Sequence, residues 1–308
     1  MEVLKLLESK EGGIVIKNFK WIVVMLLVLT ILIFFYTSIV RDENHIVKVN
    51  PQYGIFSWSS EEVTGNKVQL ISDLREYKFD RVFQSFSSQL TDEEIDSFVL
   101  EVTSNNIDVY SLIGTPEWAL DPSGQEMVER LERVVRVNHS LSKDHQIKGV
   151  VVDVEPYVMD DFDWEDVSTQ ASYLSGLRQL YQAAEDNGLE LIVVVPYFYD
   201  TKGYKKLVNT IISEAATELA VMNYYRDKEI DHLDHEARQA KTAGKPITTI
   251  YEFKRPGEHG LTHKNSYYNE GYTAAIENGN RLIEHYKDQR VNIAYHDYHA
   301  FREVIENE

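Results

Sequence analysis

Apolar and polar positions along the chain fall into three regimes. The first is the run from Trp21 to Val40, WIVVMLLVLTILIFFYTSIV, which contains no charged residue. It has no polar face of the kind a surface helix needs. Its length suits the ~20 residues that carry a helix across ~30 Å of hydrocarbon. The second regime begins near residue 50 and consists of short apolar or aromatic runs bounded by turn residues. These predict strands over 53–57, 81–86, 107–113, 147–154, 189–195, 219–223, 247–251 and 291–295. The third regime lies between those runs, where charged stretches carry apolar residues three and four apart and predict helices. Thr91-Asp92-Glu93-Glu94 reads as a capping box. Residues 125–141, 168–187 and 272–286 read as helices, and Gly188 supplies a stop after the second.

Strands alternating with helices at this pace imply a parallel sheet covered by helices. Eight repeats match a (β/α)8 TIM barrel, whose usual size is ~250 residues. The runs GVVVDV and LIVVV are almost wholly apolar, as befits strands buried on both faces. The alternative is a doubly wound open sheet. It usually has fewer strands, and no Gly-rich phosphate loop follows the first strand here.

Charge around the apolar run orients it. Lys17 and Lys20 precede it, and Arg41, Asp42 and Glu43 follow. The positive-inside rule then places the N-terminus in the cytoplasm. A cleaved signal peptide is the competing reading, but the run exceeds a ~7–15-residue h-region and no small-x-small site follows. The expected organisation is a cytoplasmic tail at 1–20, a transmembrane signal anchor at 21–40 and a linker at 41–49. Residues 50–308 would form a single-pass membrane protein's extracytoplasmic barrel.

Composition narrows the partners. The chain has 50 acidic and 31 basic residues, for a net charge of −19. No basic block could serve nucleic acid, and like charge disfavours anionic wall polymers. Cysteine is absent, which removes disulfides, thiolate metal sites and Cys nucleophiles. No G-x-S-x-G elbow supports an acyl-transfer triad. His232-x-x-His235 with Asp231, Asp234 and Glu236 has a metal-like look but reads as a solvated helix face. The segment 254–266 reads as a mobile loop over the mouth. No cofactor is expected.

In a barrel, chemistry sits at the C-terminal ends of the strands. Those ends carry Trp58, Gln84, Trp118, Tyr157, Tyr197, Asn223, Glu252 and His296, taken as candidate substrate contacts. Aromatics and carboxylates recurring at one rim suit a carbohydrate. Rings can stack on sugars, and acids can bind hydroxyls or move protons. The sharpest feature is Asp153-x-Glu155 after the fourth strand. A period of two aims both carboxylates the same way. Like charge and partial desolvation should keep one of them protonated.

These residues resemble glycoside hydrolase family 18, the chitinase-like barrels, whose fourth strand ends in D-x-x-D-x-D-x-E. Lys148-Gly149-Val150-Val151-Val152-Asp153-Val154-Glu155 matches the last Asp, the Glu and the Gly after the family's first Asp. Ser111-Leu112-Ile113-Gly114 resembles part of the family's S-x-G-G region, and Met222-Asn223-Tyr224 its M-x-Y motif. Lys148 and Val151 replace the other two Asp residues. The second of these in the family helps shuttle the charge of the next Asp. The resemblance implies that Glu155 is the general acid. Asp153 would orient the substrate's N-acetyl group and stabilise an oxazolinium, and Tyr224 would hydrogen-bond the acetamido carbonyl. The substrate's own amide would be the nucleophile. Glu155-Pro156 with Glu252 also resembles the large clan of two-carboxylate retaining glycosidases, with Val154 where that clan has Asn. The expectation is a membrane-anchored glycoside hydrolase acting on a cell-wall or exopolysaccharide glycan. The alternative from another class is a non-catalytic glycan-binding barrel, which the missing Asp residues would fit.

Overall fold

A computed structural model gives the structure of the protein over residues 50–163 and 165–308. The span expected at 21–40, with its tail and linker, lies outside the described residues. Among those described, no helix is long and apolar enough to cross a membrane.

Eight strands form at the expected places: β1 (Tyr53–Ser57), β2 (Arg81–Ser85), β3 (Asp108–Ile113), β4 (Gly149–Val152), β5 (Glu190–Pro196), β6 (Glu218–Met222), β7 (Ile247–Glu252) and β8 (Val291–His296). Each pairs in parallel with the next, and β8 closes on β1 through Gly54↔Ala294. The doubly wound alternative is therefore excluded. The described helices are α1 (Glu61–Thr64), α2 (Lys67–Glu76), α3 (Asp92–Thr103), α4 (Gln125–Ser140), α5 (Val167–Asp186), α6 (Lys205–Glu214), α7 (Glu229–Ala243), α8 (Gly271–His285) and α9 (Tyr298–Asn307). Thr91 and Glu94 make the reciprocal capping box that starts α3. Asp166 opens α5 by accepting the Ser168 N–H.

Side chains leave each strand in alternation, and this builds two cores. Outward residues such as Val82, Val150, Val152, Leu191 and Val193 pack against helix residues including Phe98, Leu131 and Leu177. Inward residues such as Phe83, Leu112, Val151, Ile192 and Ile250 fill the lumen. Each such side chain, fully buried, contributes ~1.5–3 kcal/mol. Below them lies a polar floor. Arg81, 0% exposed, meets Glu218 through two hydrogen bonds of 2.9 and 3.1 Å. Thr248 and Asn292 complete the cluster by donating to Glu218.

Two sequence expectations change. The α7 face is not solvated throughout, because the 3.6-residue period turns Glu229, Leu233, Glu236, Ala237 and Ala240 inward. Glu236 is 1% exposed, and both its oxygens lack hydrogen-bond partners. The segment 254–266 is fastened rather than loose. The Arg226 N–H donates to the Lys264 carbonyl, and the Arg226 guanidinium donates to that of His263.

Candidate active site

The lumen core fixes what stands above it. Val151, Met222, Ile250 and Ala294 all point inward. Two residues further along their strands come Asp153, Tyr224, Glu252 and His296, which the same alternation brings to the mouth. Phe56 stands in the same relation to Trp58. Strand β3 passes close beside Asp153, whose N–H donates to the Ile113 carbonyl at 2.8 Å. A Cβ at Gly114 would lie 1.8 Å from the Asp153 carbonyl oxygen, so only glycine permits that approach.

Asp153 and Glu155 are half-buried acids one residue apart, separated by the buried Val154. Asp153 Oδ1 is buried and accepts no hydrogen bond. Val151 beneath it, 0% exposed, offers no donor. Burial first, and then the charge of Glu155, push the Asp153 carboxyl up to about 7, while His296 opposes the rise. The Asp153 carboxyl, beside Glu155, therefore keeps a proton into the neutral range. Glu155 Oε2 accepts a hydrogen bond from the Tyr157 hydroxyl. Burial and then Glu252, Asp153 and Glu155 push the Tyr224 hydroxyl well up, so it remains a donor standing among three carboxyl groups.

The opposite wall is a chain of hydrogen bonds. Glu252, 3% exposed, accepts the Phe253 and Lys254 backbone N–H groups through Oε1 at 2.9 and 2.8 Å. Its Oε2 lies 3.0 Å from His296 Nδ1. Trp58 Nε1–H donates to His296 Nε2 at 3.0 Å. Burial lowers the His296 imidazole, but the charge and hydrogen bond of Glu252 and the charge of Asp297 outweigh it and hold it above its ordinary value.

The structure brings Asp153, Glu155, Tyr157, Tyr224, Glu252, His296 and Trp58 to one mouth, and it withdraws four other candidates. Trp118, 7% exposed, packs in the helical shell and donates to Glu126 at 2.7 Å. Gln84 points outward from β2 and stitches the Ser59 and Ser85 carbonyls. Asn223, also outward, holds the Glu229 carbonyl at the start of α7. Tyr197 is half-buried, with its ring stacked on His232 at 4.1 Å. In each case strand parity or a local partner takes the side chain away from the lumen.

Two residues escaped the sequence reading. Tyr173, on α5, has a buried hydroxyl without a hydrogen-bond partner, pushed up by burial and then by Asp153 and Glu155. Asn265 Nδ2 donates to the Tyr224 carbonyl at 2.6 Å and so holds the backbone of that residue. Neither carries a local signal, since one is an inward helix residue and the other sits in a polar loop.

No protein-family profile matches the sequence, and no curated protein does either. Solved structures do resemble it. A chitinase from Bacteroides thetaiotaomicron is 13% identical at a TM-score of 0.54, over 81% of this chain and 90% of that one. A GH18 chitinase from Pseudoalteromonas aurantia is 12% identical at 0.52, over 83% and 98%. A D-psicose 3-epimerase from Clostridium cellulolyticum H10 is 12% identical at 0.51, over 80% and 85%. At these identities the likeness is one of fold: this domain is a barrel of chitinase-like architecture, an architecture that also serves an enzyme that does not hydrolyse.

Proposed function

We propose that the domain is a glycoside hydrolase acting on a glycan that contains N-acetylhexosamine, held outside the cell by the apolar run at 21–40. The observation that carries this reading is the Asp153 carboxyl, raised by burial and by its neighbour Glu155, in the same mouth as the Tyr224 hydroxyl. Glu155 donates a proton to the leaving glycosidic oxygen. The acetamido oxygen of the bound sugar attacks the anomeric carbon, while Asp153 faces the developing positive charge and Tyr224 donates to that oxygen. Water then opens the oxazolinium, with Glu155 taking a proton back. The resemblance of the three strand-end motifs to family 18 supports the same assignment. Use of Glu252 as a covalent nucleophile fits less well, because Oε1 already accepts two backbone N–H groups and Oε2 faces His296.

Glu155→Gln tests the reading on chitooligosaccharides and peptidoglycan fragments. Turnover should fall at least ~10²–10⁴-fold with the melting temperature unchanged. A thiazoline mimic of the oxazolinium should compete with substrate. Equal turnover by variant and parent removes Glu155 from the chemistry. One observation favours a non-catalytic glycan-binding barrel instead: Asp153 Oδ1 is left without a partner above Val151. Binding by the parent without any turnover would select that reading. The anchor has its own test. Protease added to intact cells should remove the domain and spare the membrane-embedded N-terminus.

A further inference from the structure

The wall opposite the acid pair carries an unusual requirement. An indole N–H can only donate, so His296 Nε2 must accept from Trp58, and the imidazole proton must sit on Nδ1 facing Glu252. That arrangement exists only for neutral His296. An imidazolium would present Nε2–H to the indole N–H, and the bond would be lost. Trp58 is 39% exposed, and its plane makes a 73° angle with the His296 ring. The histidine therefore grips the indole at its N–H edge, and the side chain stays partly exposed.

We infer that His296 is a positioning residue whose protonation state sets the seat of Trp58, an aromatic platform for one pyranose ring of the glycan. Neutral imidazole locks the platform, and imidazolium releases it. The groups facing His296 decide where the switch falls. From β7 and the residues after it come Glu252 and Lys254, from just past β8 Asp297, from just past β4 Asp153, and from just past β6 Tyr224 with ring centroids 6.2 Å apart. Phe56 on β1 packs edge-on at 5.6 Å and supplies no charge. The carboxyl groups favour imidazolium, so the lock should engage on the alkaline side of an ordinary histidine. The platform's contact with sugar rests on the glycan reading above. The lock does not.

The test uses the full chain in detergent. Its tryptophan fluorescence is recorded against pH and compared with Trp58→Phe to isolate the signal of Trp58. That signal should titrate with a midpoint above ~6.5. It should stop titrating in His296→Gln, and its midpoint should move to lower pH in Glu252→Gln. A purely structural role for His296 would not produce the last shift. A flat Trp58 signal in the parent, or a titration that survives His296→Gln, overturns the lock. If His296→Gln does not fold, the direction of the Glu252→Gln shift decides alone. Binding of an N-acetylglucosamine oligomer is then measured in the Glu155→Gln background. Affinity should be at least ~5-fold higher at pH 8.5 than at pH 5.5, and this difference should vanish with His296→Gln, which leaves Asp153 titrating. Trp58→Ala should lose ~10-fold at pH 8.5. A pH difference that persists in His296→Gln assigns the effect to Asp153 and overturns the platform role. A titrating Trp58 with no sugar bound at any pH keeps the lock and overturns the glycan reading.

Discussion

Both ends of the barrel lumen hold charge, and they treat it in opposite ways. At the floor, Arg81 and Glu218 are sealed from water, and Glu218 receives donors from Arg81, Thr248 and Asn292. Burial alone would push Glu218 up, but Arg81 and the two hydroxyl and amide donors outweigh it and hold the carboxyl below its ordinary range. At the mouth, Asp153 is given a carboxylate for a neighbour and an apolar residue beneath it, and its carboxyl rises. Matched charge at the floor supports one structure, whereas mismatched charge at the mouth retains a proton on Asp153. The contrast has a sign in pH. Glu218 contributes stability that is present above its unfolded value and lost as pH falls through the lower folded one. Asp153 works the other way, and stability declines as pH climbs from about 3.8 to about 7.

The largest effect expected from breaking this contrast is the loss of turnover in Glu155→Gln given above, with the floor untouched. Next in size is Arg81→Met, which leaves Glu218 buried without its partner. It should cost ~3–5 kcal/mol in urea unfolding, and the double variant Arg81→Met/Glu218→Leu should recover most of that. A double variant as unstable as the single one would show that the pair does more than neutralise itself. A smaller effect is expected at the acid pair. In the parent, kcat/KM should fall as pH rises past about 7, where Asp153 loses its proton. Asp153→Asn should lower kcat ~10²-fold and remove that alkaline limb, since the group that titrates there is gone. A limb that stays in place would assign it to another group. The smallest concerns Glu236, whose burial pushes its carboxyl up to about 8. Stability should drop as pH rises from about 4.5 to about 8, and Glu236→Gln should flatten that decline with little change at pH 4. Equal pH slopes in variant and parent would mean that Glu236 finds a partner on ionising.

The strand period made part of the site readable in advance. Asp153, Tyr224, Glu252 and His296 each follow an inward apolar residue by two, and such parity is visible in a sequence. Gln84 and Asn223 sit at the same strand ends with the opposite parity and serve as backbone braces. Trp118 misled for a different reason. It lies beyond β3, where the chain folds into a short 3-10 turn (Pro116–Leu120) and its indole finds Glu126 on α4. Parity does not extend past the end of a strand. The buried face of α7 was hidden by composition, because a helix rich in Asp, Glu and His can still turn two carboxyls, Glu229 and Glu236, inward.

What the sequence determined alone was periodic and local: eight strand–helix repeats, the cap at Thr91, and the alternation that aims two acids one way. Those depend on backbone geometry that neighbouring residues dictate. Tertiary structure alone decided the rest: that Asp153 Oδ1 lacks a hydrogen-bond partner, that Glu252 is spent on backbone N–H groups and His296, and that Trp58 is gripped at its edge. These are meetings between strands far apart in the chain. Their energies turn on burial and distances of a few ångströms, which emerge only when the barrel closes.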